Sequence, residues 1–380
     1  MTRLVRMRLQ DFRSFASIDV ELDDLTVLVG PNASGKSNLV DGIRFISDAF
    51  RRGLELAFDD RGGYSSVVRR RAGRGRPKDM TLTYYLTSDK FPGDTFEYQV
   101  TIGAVADFGF QVKEEYLVQI HSDSTRTEHL MNKNGRLRVG TPEIDIDAPR
   151  DRLALPLLDN YTPFDLVYDF FVNAGFYTIY PDHLRSPQKP MQGYQLAKGG
   201  ENLASVIKRM STGDDDLMED LVSDLAKIVP DITKLEVRRW GGFYAIRLLH
   251  GKGSDAVWFD MSMESDGTIR ALALLTAIYT TPSGTLLALE EPELTIHPGA
   301  TKVIAEALKE AADRYQVIVT THSPDLLDEF RPEDVLVVTK IENTSHIGRV
   351  DERLLELVRE QLYDIGDLHR MGELVLTTEE

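Results

Sequence analysis

A chain of 380 residues, 42% hydrophobic and 28% charged, can bury a large core and is too apolar for extended disorder. Its 44 Lys+Arg against 61 Asp+Glu give a net charge of -17, which excludes a uniformly basic nucleic-acid binder but leaves room for a local basic patch. The absence of cysteine excludes disulfides, Cys-ligated zinc and thiol catalysis, and it fits a cytoplasmic protein.

The opening MTRLVRMRLQDF lacks the apolar stretch of a secretory signal. The longest apolar run, Ala271–Tyr279, is too short to span a bilayer, so no membrane association is expected. Residues 1–30 read as strand, turn, strand: LVRMRLQDF and SFASIDVEL alternate, and LTVLVG is a short apolar run closed by glycine. SGKSNLVDGIRFISDAF then sets Leu39, Ile43 and Ile46 at helical spacing.

From Met80 to Val139 the texture is β, and Asn134-Gly135 inside LMNKNGRLRV is a strong hairpin signal. Strands in series predict an antiparallel sheet. The stretch Pro163–Pro230 reads as mainly helical, with ENLASVIKRM and DDDLMEDLVSDLAKIV its clearest helices. Asp214–Asp216 stand at the start of the second, where carboxylates suit the helix dipole. KLEVRRW and GFYAIRLL read as strands. The last third alternates helix and strand (IRALALLTAIY, TLLALEE, ATKVIAEALKEAADRY, QVIVTTH, DLLDEF, DVLVVTK), which predicts a parallel sheet covered by helices. No internal repeat or long heptad pattern is present.

Four motifs carry chemistry. Gly30-Pro31-Asn32-Ala33-Ser34-Gly35-Lys36-Ser37 matches G-x-x-x-x-G-K-[ST] at every fixed position. Glycines let main-chain N–H groups close around phosphate oxygens, and the following helix start favours negative charge. Lys36 is expected on the β- and γ-phosphates of ATP and Ser37 on Mg²⁺, with Asn38 completing the candidate nucleotide-binding set. Leu286–Glu291 is an apolar strand ending in two carboxylates; Glu290 is the candidate metal ligand and Glu291 the candidate base for the attacking water. Thr321-His322-Ser323-Pro324 ends another strand, one βα unit later, and puts one of the eight histidines where α/β sheets bind ligands. Ser265-Asp266-Gly267-Thr268 opens a helix, and by itself reads equally as an anion site or an ordinary cap.

In this order the motifs resemble an ABC-type ATPase head. LQDFRSF, GPNASGKSNLVDGI and SDGTIRALALLTAI point to the branch of SMC and RecF-type proteins. EEPELTIHPG, VIVTTHSPDLL, HLRSPQ and GGENLASVI resemble small bacterial AAA-type ATPases, including the ATPase parts of overcoming-lysogenisation-defect nucleases and of anti-phage systems. The likeness is dense at 1–50 and 260–330 and thin between 50 and 175. It implies an α/β P-loop NTPase of ABC-ATPase head type, with a mixed or parallel core sheet, an antiparallel β subdomain and a helical lobe. Residues 1–160 would form the N-terminal lobe, 161–260 a mainly helical insertion or lid with short strands, and 261–380 the C-terminal lobe.

The resemblance also assigns roles. Ser265 and Gly267 would be the signature touching the γ-phosphate of ATP on a partner subunit, His322 the switch histidine, Glu293–Ile296 the D-loop, and Arg13 a residue near the nucleotide. Departures exist: Asp266 and Thr268 replace the transporter-type glycine and glutamine, Glu290 the commoner aspartate, and Tyr177–Asp182 lacks the Q-loop glutamine, Gln188 coming late.

The expected function is an ATP-hydrolysing switch that forms a head-to-tail homodimer around ATP and Mg²⁺ and works with a nuclease or other effector in DNA metabolism or phage defense. An ATPase domain that regulates or carries nuclease activity on DNA is the alternative. Intrinsic nuclease activity is disfavoured because the stretch after His322 is shorter than the roughly 100–150 residues of a typical domain. The DFRSF start and the large middle insertion argue against a transporter subunit, and the intact Lys36, Ser37, Glu290 and Glu291 against a non-hydrolysing scaffold. Finally, Arg69, Arg70, Arg71, Arg74, Arg76 and Lys78 crowd beside Gly73, Gly75 and Pro77. Such a loop can pair with the chain's own acids, dock an acidic partner protein, or track DNA or RNA phosphates.

Overall fold

Both faces of the strand Leu25–Val29 are buried, Leu28 in one hydrophobic cluster and Leu25, Val27 and Val29 in another. Neighbouring strands divide the same way: Leu286 and Ala288 face the first cluster, Leu287 and Leu289 the second. A sheet covered on both sides is what parallel strands require, since the connections between them lie across its faces. The computed structural model describes residues 1–70, 79–105, 109–140, 144–147, 149–213, 215–360 and 362–376. Its core is a six-stranded sheet in the order Gly175–Tyr177, Leu286–Glu290, Gln316–Thr321, Leu25–Val29, Val335–Ile341, Thr344–Arg349. All neighbours are parallel except the last pair. Val29, Glu290 and Thr321 therefore end at one edge, which collects the motifs that follow them.

The first hydrophobic cluster lies under an eight-stranded antiparallel sheet, ordered Phe15–Glu21, Thr2–Phe12, Asp79–Ser88, Phe91–Ala104, Phe110–Ile120, Arg126–Lys133, Arg136–Val139, Ile144–Asp147. Asn134 and Gly135 form the expected tight turn, with φ of 52° and 84°. Helix Lys36–Arg52 lies against this cluster, with Leu39, Ile43 and Ile46 fully buried. Segment 1–160 thus supplies two separate sheets: the first two strands join the antiparallel one and only Leu25–Val29 enters the core.

In segment 161–260, helix Phe164–Val172 packs into the first cluster and Gly175–Tyr177 adds the edge strand of the core sheet. Helices Leu203–Gly213 and Asp215–Ile228 cover the second cluster; Asp214 lies outside the described residues. A small antiparallel sheet, Ile232–Trp240, Phe243–His250 and Val257–Asp260, completes the lobe. Its third strand is too short for a legible alternation. The terminal hairpin strand Thr344–Arg349 also escapes the sequence reading: its turn places Glu342 and Asn343 at φ 46° and 65°, and glutamate is an unusual turn residue there. Among the described residues no helix is long and apolar enough to cross a membrane.

Candidate nucleotide-binding site

The loop after Val29 is bent by three left-handed residues, Gly30, Ala33 and Gly35, at φ 151°, 62° and 122°. A Cβ on Gly30 would overlap the carbonyl oxygen of Val338 on the adjacent strand, and one on Gly35 the hydroxyl of Ser345. Gly35 is the N-cap of helix Lys36–Arg52 and no side chain caps that end, so its first N–H groups remain free to bind an anion. Gly30→Ala should therefore cost about 3 kcal/mol of stability, because a main-chain oxygen cannot step aside. Gly213→Ala, with open space around it, should change stability by about 1 kcal/mol or less. Thermal unfolding without nucleotide compares the two; equal midpoints would remove the steric argument.

The loop borders a cleft of about 540 Å³. Asn32, Ala33, Gly35, Lys36, Ser37 and Asn38 line it, with Glu291 and His322 from two other strands and Ser14 and Lys340, which the sequence reading did not single out. The Lys36 ammonium donates to the carbonyls of Gly30 (2.8 Å) and Pro31 (3.2 Å) and meets His322 Nε2 at 2.7 Å. Burial pulls its pKa down to about 8, against the opposing pull of Glu291 and Glu293. The His322 pKa is lowered too, by burial first and then by Lys36. A neutral imidazole accepts at Nε2 from the lysine, which leaves its proton on Nδ1.

Glu291 turns off its strand at φ 46°, its N–H held by the Thr320 carbonyl at 2.9 Å. That left-handed step, strained for glutamate, brings its carboxylate to 3.5 Å from His322 Nε2. Glu290 accepts from Thr178 Oγ1 at 3.3 Å. Thr178 follows the neighbouring edge strand, in the segment where the Q-loop glutamine is missing. Gln188 lies elsewhere: buried, it donates to the Gly200 carbonyl at 2.9 Å and accepts from Ala204 N–H at 2.8 Å. Among the described residues no three His, Cys, Asp or Glu side chains form a cation cluster. Ser37 and Glu290 alone would underfill an octahedral Mg²⁺, so this donor set fits an ion whose other ligands are phosphate oxygens and water.

Glu293, expected in the D-loop, fastens the switch segment: its Oε1 accepts from Thr321 Oγ1 (2.6 Å), His322 N–H (3.1 Å) and Ser323 N–H (3.2 Å). His369 on the terminal helix Ile365–Met371 hydrogen-bonds the His322 main chain. That helix is tied down by Gly366 N–H to Asp328 (2.6 Å) and Arg370 to Asp325 (2.6 Å). Neither contact has a local sequence signal.

Ser265 and Gly267 do not line the cleft. The Ser265 hydroxyl caps helix Asp266–Thr280 by accepting from Thr268 N–H at 3.1 Å, and a Cβ on Gly267 would press on the Thr295 carbonyl at 2.7 Å. Arg185 grips this helix start through the Glu264 carbonyl (2.7 Å) and Asp266. The buried Arg270 joins the helix to the carbonyls of Ile179 and Leu294. Arg13 also stands outside the cleft lining. Its guanidinium is taken up by Asp41 at 2.7 Å and the Ser66 carbonyl at 3.1 Å, and the neighbouring Ser14 occupies the cleft wall, bound by Asn38 at 2.7 Å. Of the basic loop, Arg69 bonds Thr344 Oγ1 at 2.6 Å, Arg70 is exposed, and 71–78 lie outside the described residues.

The chain is similar to the Old nuclease of Escherichia phage P2, 23% identical over 402 residues, covering 99% of this chain and 67% of that protein. It is also similar to the DNA replication and repair protein RecF of Rhizobium meliloti (strain 1021), 40% identical over 143 residues, 37% of this chain and 33% of that one. Among solved structures, an SMC head bound to the C-winged helix domain of ScpA shares the fold with a TM-score of 0.56 at 15% identity, covering 90% of this chain and 97% of that one. The Pyrococcus furiosus SMC head with an extended coiled coil, bound to the C-terminal domain of ScpA, gives 0.54 at 13% identity, over 96% and 100%. The fold is that of a P-loop ABC-type ATPase head. Residues 25–328 match the family described as AAA domain, putative AbiEii toxin, Type IV TA system. The chain belongs to that family, within the SMC- and RecF-like ATPases related to Old nucleases.

Proposed function

We propose that the protein is an ATP-hydrolysing switch in which two chains clamp ATP between the phosphate loop of one and the signature of the other. One observation carries this reading: Lys36, Glu291 and His322 converge on the loop cleft, while Ser265 and Gly267 of the same chain lie outside it. A cleft lacking its signature is completed by a second copy.

Bound Mg·ATP would supply a phosphoanhydride with its charge partly neutralised. Ser37 and Glu290 would hold the metal, and Lys36 would exchange its carbonyl partners for phosphate oxygens. Glu291 would take a proton from water. His322, neutral at Nε2 and fastened through Glu293, would orient that water and sense the terminal phosphate. Because only the ammonium form of Lys36 pairs with phosphate, ATP affinity should fall as pH rises through about 8. Bound phosphate raises that pKa, so binding above it takes up a proton, and the loss approaches about tenfold per pH unit. Calorimetric titration from about pH 7 to about 9 measures it, and a flat profile would contradict the assignment.

The likeness to Old nuclease along 99% of the chain supports a role for the switch in a nuclease step on nucleic acid, in DNA metabolism or phage defense with a partner effector. An ATPase part that itself belongs to a nuclease is the second reading, favoured by the same alignment. Light scattering of the hydrolysis-deficient Glu291→Gln protein with and without ATP tests the clamp.

A further inference from the structure

The small sheet of the lobe leaves an opening along its central strand. Strand Val257–Asp260 pairs only as far as Arg247, and Gln188 pairs with Tyr244 further along. Between them Ala245 and Ile246 floor a cavity of about 440 Å³. Arg185, Arg238, Arg239 and Arg247 line it, against Asp260 as the one carboxylate of the lining. Glu236 engages Arg238 Nε at 2.7 Å and an outer nitrogen of Arg247 at 3.2 Å. Arg239 forms no ion pair among the described residues, and Arg247 Nε is buried without a partner. At the rim the hairpin Trp240-Gly241-Gly242-Phe243 holds Trp240 68% exposed, and Trp258 packs against the Arg247 guanidinium at 4.9 Å.

We propose that this cavity receives an unpaired nucleic-acid strand, its phosphates on Arg238, Arg239 and Arg247 and a base stacked on Trp240. Arginines beside an open aromatic face suit single strands, whose bases are free to stack; a duplex keeps its bases covered. An acidic peptide would use the cations and leave the indole bare. The site is separate from the phosphate-loop cleft, and binding there does not require the ATP-switch reading to hold.

The chain has two tryptophans, Trp240 and Trp258, so its tryptophan emission reports this cavity alone. Titrations without ATP at low salt should show saturable quenching by oligothymidylate or oligouridylate, the stronger of the two telling DNA from RNA. Blunt duplex and polyglutamate should quench at least about tenfold more weakly by concentration. The double variant Arg238→Ala, Arg239→Ala should weaken single-strand binding about tenfold and lower its log–log salt slope by about 1. Its ATP turnover and thermal midpoint should stay at wild-type values. No quenching by either single strand, equal quenching by polyglutamate or duplex, or unchanged affinity in the double variant would each overturn the proposal.

Discussion

Lys36→Ala should lower ATP turnover about a thousandfold, the loss expected when a positioned cation is removed from phosphoryl transfer. Lys36 sits buried with its ammonium on two loop carbonyls and His322. Folding already works against that charge, since burial holds its pKa near 8. Alanine removes a half-desolvated cation and leaves acceptors that cleft water can reach. The thermal midpoint should therefore stay within a few degrees of wild type while phosphate release collapses. Wild-type phosphate release by the purified variant would refute the site. A protein that simply unfolds would instead show that the lysine is structural.

Glu291→Gln should keep ATP binding and cut hydrolysis by about a hundredfold or more, because the amide preserves shape and hydrogen bonding but cannot accept the proton of water. Glu290→Gln should instead weaken Mg²⁺-dependent binding, and a reversed pattern would exchange the two roles. The trapped Glu291→Gln protein should run as a dimer with ATP and a monomer without it. Ser265→Arg should prevent that dimer, since it places a long cation at the helix start that meets the partner's nucleotide. A monomer carrying ATP would sink the clamp. With one phosphate loop and one signature per chain, on different surfaces, no other closure uses both.

The strand LTVLV, the loop after it and the helix with Leu39, Ile43 and Ile46 inward were all legible in the sequence. So were the hairpin at Asn134-Gly135 and the βα alternation of the last third. Each rests on a period of 2 or about 3.6 or on a turn that demands positive φ, all properties of neighbouring residues. Where the first two strands go was not legible. Thr2–Phe12 pairs with Asp79–Ser88 rather than beside Leu25–Val29, and the same alternation would serve either sheet.

The partners around the cleft depended on tertiary structure for the same reason. Glu293 on the switch segment, Thr178 on Glu290, His369 on the His322 main chain and Asp41 on Arg13 join residues far apart in the chain. Arg13 illustrates the limit: the DFRSF segment does border the nucleotide cleft, but Ser14 faces it while Arg13 turns to Asp41. Sequence spacing determined the strand–loop–helix unit and which strands end in carboxylate or histidine. Which side chain enters the cleft, and which locks its neighbours, followed from strand order and register, because those alone decide what lies opposite at hydrogen-bonding distance.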